Sequence, residues 1–221
     1  GPGEVRVKLA TSGVNPSDVK SRLGTTRKIA FPRVVPHSDG AGVIDEVGTN
    51  VPKSRVGERV WVWNGQWKRA FGTAAEFIVL PSSHAVPLPA DVAFEAGACL
   101  GIPAMTAIHA VNLANASADS TLLVSGGAGA VSQYVIQFAK AKKAKVITTV
   151  SSPEKATVAR EAGADQVIDY KKENVGERVM DITGKRGVDV VVARLRAPGA
   201  GRGNGPSLSE PRGSRRGSRQ E

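Results

Sequence analysis

Leu122-Leu123-Val124-Ser125-Gly126-Gly127-Ala128-Gly129-Ala130-Val131-Ser132 is the stretch whose reading decides the fold of this chain. A short apolar strand runs into a tight turn of small residues, and a helix follows at once. Val131, Tyr134, Val135 and Phe138 recur at helical spacing, so one face of that helix packs back on the strand. Such a turn leaves backbone N–H groups bare at a helix N-terminus, where the dipole favours an anion. Small side chains let a phosphate come close to the backbone. Gly126 and Gly129 fit the dinucleotide fingerprint, while the third glycine position holds Ser132, which costs some strand–helix fit and leaves the anion site in place. Glycine-rich turns between strand and helix also occur without a ligand, so the turn alone leaves nucleotide binding open.

The residues that follow narrow the reading. Lys145 to Val150 is a second buried strand, and Ser152-Pro153-Glu154 supplies a cap, a proline at the first helical position and an acid in the first turn. That helix ends before Gly163. Gln166-Val167-Ile168 is a third strand, Glu173 to Thr183 a helix, and Val188 to Val192 a fourth strand. Strands alternating with helices predict an α/β fold with a parallel, doubly wound sheet and a dinucleotide site. An NAD site usually places an acid after the second strand, on the ribose hydroxyls. Here that strand ends Thr149-Val150-Ser151-Ser152, with Lys155 one turn into the helix. A hydroxyl and an ammonium suit a 2′-phosphate, which favours NADP(H). The plainer alternative makes Ser152 only a cap and Lys155 a solvated charge.

The first half has a different rhythm. Glu4 to Leu9 alternates polar and apolar, Gly13-Val14-Asn15-Pro16-Ser17-Asp18 turns into a short helix, and Gly42 to Val47 is a strand closed by Gly48-Thr49-Asn50. Gly57 to Trp63 and Ala74 to Leu80 add further short strands, and the whole reads as an antiparallel barrel or roll. Ala90 to Asn112 reads as a helical connector with Cys99, Met105 and Ile108 in its core. Thr106 either faces a ligand or bonds back to its own helix.

Composition sets the limits. The chain has 221 residues, one cysteine and a formal net charge of +10. A single cysteine excludes an internal disulfide framework and fits a reducing compartment, and no apolar run has membrane-spanning length, so a cytoplasmic setting is expected. From Ala193 to Glu221 stand seven arginines and two acids, half of that net charge. The segment is rich in Arg, Gly, Pro and Ser and is expected to be disordered. It reads either as a basic arm for nucleic acid or as a non-native ending, the latter being favoured.

Taken in order, Gly13-Val14-Asn15-Pro16-Ser17-Asp18, His37-Ser38-Asp39-Gly40-Ala41-Gly42-Val43-Ile44, Val56-Gly57-Glu58-Arg59-Val60, Gly101-Ile102-Pro103-Ala104-Met105-Thr106-Ala107 and the glycine turn resemble the zeta-crystallin-like quinone oxidoreductases. These belong to the medium-chain dehydrogenase/reductase superfamily, and the resemblance spans about residues 1–192. It implies a GroES-like barrel over 1–90, a connector helix and partial Rossmann domain over 91–192, and the basic tail over 193–221. It also implies an enzyme that transfers a hydride from NADPH to a quinone or related α,β-unsaturated carbonyl, and a homodimer. Asn15 and Thr106 would lie near the nicotinamide. Gly126, Ala128, Gly129, Ala130 and Val131 would hold the pyrophosphate, and Ser151, Lys155 and Tyr170 would surround the adenosine 2′-phosphate.

Zinc-dependent relatives carry a cysteine where Asn15 stands and a His-Glu pair where Ser38-Asp39 stand. A catalytic zinc takes three protein ligands, and Cys99, His37, His84 and His109 sit in separate motifs, so no metal is expected. No general acid stands out, because Lys20 occupies the place where many quinone reductases have a tyrosine. The chain starts at Gly1-Pro2-Gly3-Glu4 without the preceding strand or two of the family pattern, and it leaves that pattern after Val192. The expectation is a fold incomplete at its C-terminus, with an open fourth-strand edge. The alternatives are a zinc-free alcohol dehydrogenase or enoyl reductase relative, or a non-catalytic fragment that binds NADPH or RNA.

Overall fold

The computed structural model describes residues 1–24 and 30–193. The alternating stretch at the start becomes β1 (Glu4–Gly13), which runs past Leu9 to pair with the beginning of β2 (Asp39–Val47). β3 (Arg59–Val62), β4 (Phe77–Pro81) and β5 (Ala85–Pro87) complete an antiparallel sheet in the order β4-β1-β2-β3-β5. Period-two alternation sends Val5, Val7, Ile44, Val60, Val62, Ile78 and Leu80 to one side, where they form a single apolar core. Register shifts at Arg6/Val7 and Leu9/Thr11 mark bulges, which bend β1 around that core. Between β1 and β2, Asn15 caps α1 (Pro16–Arg22), with Pro16 at its first position and the Asn15 N–H donating to Asp18 Oδ2 at 2.7 Å.

The connector is not the continuous helix expected over 90–112. It divides into α2 (Phe94–Gly97), a π-helical turn over Leu100–Ala104, and α3 (Met105–Leu113). Pro103 accounts for the break: it has no N–H to donate, and its ring crowds the carbonyl four residues back, so the ladder widens there. The break also decides what is buried. Ala104, Ala107 and Val111 face the core, whereas Cys99 and Met105, expected inside, are exposed and Ile108 is half-buried.

The second half follows the alternation read from the sequence. β6 (Thr121–Val124), α4 (Ala130–Ala141), β7 (Lys145–Val150), α5 (Pro153–Glu161), β8 (Gln166–Asp169), α6 (Val175–Ile182) and β9 (Val190–Val192) succeed one another. The strands are parallel, in the order β8-β7-β6-β9. The chain thus goes outward from β6 to one side and then returns to lay β9 on the other, which is the doubly wound pattern. α6 starts two residues later than its pattern suggests, because the Asn174 side chain accepts from the N–H groups of Gly176 and Glu177 and caps it there. β9 is shorter than Val188–Val192, since Asp189 turns its carboxylate to the Thr121 N–H at 2.7 Å. β9 forms one edge of the described sheet, and Val191 is half exposed. From Arg194 onward the basic tail lies outside the described residues.

Leu122 is fully buried in the cluster that joins β6, α3 and α4. Leu122→Ala is expected to lower stability by about 2–5 kcal/mol in urea unfolding, whereas Leu113→Ala, at a residue 70% exposed, is expected to change it by less than about 0.5 kcal/mol.

Candidate functional site

The glycine turn is held as much by β7 as by its own glycines. Gly126 takes φ +67, a left-handed conformation that strains most side chains. Its N–H donates to Thr149 Oγ1 at 3.1 Å, and the Gly127 N–H donates to the Thr149 carbonyl at 2.9 Å. A Cβ at Gly127 would lie 2.4 Å from Thr148 Oγ1, and the Thr148 hydroxyl donates to the Val124 carbonyl at 2.6 Å. Both threonines are buried, so the hydroxyls of one strand clamp the turn that leaves its neighbour. The sequence reading passed over them, although a Thr-Thr pair inside an otherwise apolar strand was the available signal. Ser132, at the third glycine position, donates to the Ser125 carbonyl at 2.9 Å and ties the start of α4 to the end of β6.

Gly129 is the N-cap of α4, and the Gln133 N–H donates to the Gly129 carbonyl at 2.9 Å. The N–H groups of Ala130, Val131 and Ser132 precede that bond and have no helical carbonyl to meet. Gln133 Nε2 holds the Ala128 carbonyl at 3.1 Å. This end of the helix offers bare N–H groups and the positive end of the dipole, a fit for a phosphate-bearing ligand.

At the carboxyl end of β7, Lys155 Nζ donates to Ser151 Oγ at 3.0 Å on the exposed surface. Tyr170 stands beside the same strand end, with its N–H donating to the Val150 carbonyl at 3.1 Å and its side chain half exposed. Ser152 caps α5 as its sequence suggests. Glu154 lies in that first turn, its carboxyl held below the ordinary range by a hydrogen bond with Ser152. Ser151 and Lys155 are therefore joined at the end of β7, and the Tyr170 backbone is bonded to the residue before Ser151.

The other end of the site is built around Asp39. Its carboxylate is fully buried, and Oδ2 accepts from Asn15 Nδ2 at 2.8 Å and from the Ile102 N–H at 2.8 Å. Its Oδ1 has no partner among the described residues and presses on Gly101, where any Cβ would sit 2.1 Å away. Burial pushes the Asp39 carboxyl above its ordinary pKa, against the pull of Ile102 and Asn15. Asn15 is brought to Ile102 by this bridge, and Thr106 lies one helical turn beyond Ile102, exposed. Asp39 is a site residue that the sequence reading did not single out. A buried acid in a run of small residues was its signal.

Zinc does not fit this cluster. Asn15 points an amide N–H at Asp39, the Asp39 oxygen nearest to it already has two donors, and His37 Nδ1 is 2.9 Å from Ser12 Oγ. Among the described residues no three His, Cys, Asp or Glu side chains gather as a metal set. His84 packs on Trp63 at 4.3 Å between ring centroids, and burial lowers its pKa, whereas His109 is exposed. A cavity of about 460 Å³ opens among Thr121, Lys145, Asp165, Thr183 and Arg186. It lies at the amino ends of the parallel strands, opposite to the end where such sheets bind ligands.

Comparison with known proteins agrees with this layout. The alcohol dehydrogenase GroES-like domain family matches residues 1–90, and the zinc-binding dehydrogenase family matches residues 130–198. A quinone oxidoreductase of Rattus norvegicus is 36% identical over 194 residues, covering 87% of this chain and 57% of the relative. The structure of an Escherichia coli quinone oxidoreductase complexed with NADPH matches with a TM-score of 0.74 at 31% identity, covering 86% of this chain and 57% of that one. An NAD-dependent alcohol dehydrogenase matches with a TM-score of 0.80 at 30% identity, covering 86% and 62%. The chain thus spans less than two thirds of the length of these relatives.

Asp39→Ala strands the Asn15 amide and the Ile102 N–H, and each buried donor left unpaired costs about 1–3 kcal/mol. A carboxyl whose pKa is raised by folding stabilises the fold most below its unfolded value and loses that contribution as pH rises through its folded value. The stability deficit of Asp39→Ala is therefore expected to be larger at acid pH than at neutral pH, which urea unfolding of both proteins at the two pH values measures.

Proposed function

We propose that this chain, which belongs to the medium-chain dehydrogenase/reductase superfamily, binds NADPH and reduces quinones or related α,β-unsaturated carbonyls without zinc. The observation that carries the cofactor choice is the end of β7, where Lys155 and Ser151 meet through a 3.0 Å hydrogen bond and Tyr170 stands alongside. A 2′-phosphate placed there meets an ammonium, a hydroxyl and a phenol, and a charge-assisted bond to Lys155 is among the stronger polar contacts available. The pyrophosphate is assigned to Gly126, Ala128, Gly129, Ala130 and Val131, and the nicotinamide end to Asn15 and Thr106. Bound NADPH supplies a hydride, that is, one hydrogen with two electrons. The protein orients the two reactants and keeps water away from them.

In this reading residues 1–90 form the substrate side and 91–192 the cofactor side, with Asp39 linking the two through Ile102. The Asp39 bond also fixes the sense of the Asn15 amide, since Nδ2 is engaged inward. The likeness to an NAD-dependent alcohol dehydrogenase favours a second reading, with NADH as cofactor and an alcohol as substrate. The two readings differ at β7, because an NAD site places an acid on the ribose hydroxyls and this strand ends in Ser151 and Ser152.

Titration of the purified protein with NADPH and NADH, followed by nicotinamide fluorescence, tests the choice. NADPH is expected to bind more tightly, and Lys155→Ala to weaken NADPH about tenfold, equivalent to about 1.4 kcal/mol, with NADH unchanged. Thr149→Val, which releases the Gly126 N–H, is expected to weaken both cofactors to a similar degree. Equal affinity for the two cofactors would remove the NADPH assignment, and NADPH oxidation that no quinone or enone accelerates would remove the substrate class.

A further inference from the structure

A chain of hydroxyls at the end of β1 fixes which ring nitrogen of one histidine carries the hydrogen of its bond. Thr73 Oγ1 lies 2.6 Å from the Asp39 carbonyl oxygen, which can only accept, so the Thr73 hydrogen is committed to it. Ser12 Oγ is 3.0 Å from Thr73 Oγ1 and 2.9 Å from His37 Nδ1. Thr73 has no second hydrogen, so Ser12 donates to Thr73 and must accept from His37. The hydrogen of that last bond therefore belongs to Nδ1. Nε2 is the ring nitrogen left over, without a hydrogen-bond partner among the described residues, on a ring that is only half-buried.

The backbone points to the same residue. His37 has φ +73, a conformation that glycine adopts freely and a side chain takes with strain. It is held there because its carbonyl accepts the Thr73 N–H at 3.0 Å. Strain of this kind gathers at functional sites. The hydroxyl chain starts at the Asp39 carbonyl, so the His37 ring hangs from the same residue whose carboxylate holds the Asn15 amide. Lys20, at the place where many quinone reductases have a tyrosine, is not needed as the acid if the histidine takes that part.

We propose that His37 is the proton donor of the reduction, acting from Nε2. The inference rests on the reading of the chain as an NADPH-dependent reductase. Both electrons arrive with the hydride, which leaves a substrate oxygen anionic. The Nε2–H bond of the His37 imidazolium breaks and an O–H bond forms, giving the reduced product and a neutral imidazole that still donates through Nδ1 to Ser12. Water returns the proton to Nε2 before the next turnover, so the balance is one NADPH, one proton and one quinone to one NADP⁺ and one hydroquinone.

His37→Gly suits the left-handed backbone and leaves space for a free imidazole. Turnover of this variant is expected to fall by about 10²-fold or more, the range of general acid catalysis, while NADPH binding stays unchanged. Imidazole added to the buffer is expected to restore turnover, and His37→Asn, which can still donate to Ser12, is expected to remain slow. ¹⁵N NMR of histidine-labelled protein is expected to show His37 protonated at Nδ1, with that preference lost in Ser12→Ala. Full activity of His37→Gly, or an activity loss that His37→Asn repairs and imidazole does not, would overturn the proposal and leave a structural role. A wild-type chain that binds no NADPH would instead overturn the reductase reading, and the proton-donor assignment with it.

Discussion

A single buried carboxylate ties together the parts of the site that lie farthest apart in sequence. Asp39 Oδ2 is shared between the Asn15 amide at the cap of α1 and the Ile102 N–H in the π-helical turn. Burying a charge is costly unless it is paired or hydrogen-bonded. Two donors converge on one oxygen here, while the other oxygen rests on Gly101, where only a glycine fits. The same residue offers its carbonyl to Thr73, from which the chain of hydroxyls to His37 hangs. Without that carboxylate the Asn15 amide would lose its buried acceptor and the π turn its hydrogen bond to β2, leaving Leu100 to hold the turn by packing.

The cofactor side uses a different device. Its shape comes from backbone and hydroxyl bonds between parallel neighbours, with Thr149 reaching the Gly126 N–H and Thr148 reaching the Val124 carbonyl. Charge stands at the rim, on Lys155 and on Glu154 in the same helical turn. One end of the site therefore depends on a buried ionisable group and the other on neutral hydrogen bonds, so the two ends should respond differently to pH and salt.

Much of the fold was legible because its elements carry strong local signals. The strand–turn–helix at Leu122–Ser132, the cap at Ser152-Pro153 and the β7 strand fall where periodicity and capping place them. Legibility failed in the connector, where a proline inside a helical pattern went unread. The connector reads as one helix until Pro103 splits it, and the split turns Cys99 and Met105 outward. At the site, Lys155 meets Ser151 at the end of β7, and the Tyr170 backbone bonds to the neighbouring Val150. Asp39, Thr148 and Thr149 escaped notice because each works through partners distant in sequence. The state of His37 was equally invisible, since it follows from a count of hydrogens across Ser12 and Thr73.

The position of β1 within its sheet bears on the order in which the chain can assemble. β1 precedes its partners in the chain, yet it lies between β2 and β4, with Val5 opposite Val47 on one side and Leu80 on the other. Long loops must close before those pairings reward it, and pairings of high sequence separation are slow to form. In the second half β6, β7 and β8 pair with strands made shortly before or after, while β9 returns to pair with β6. During synthesis β1 therefore gains its β4 partner only after about seventy further residues have been made, so that side of the strand is completed late.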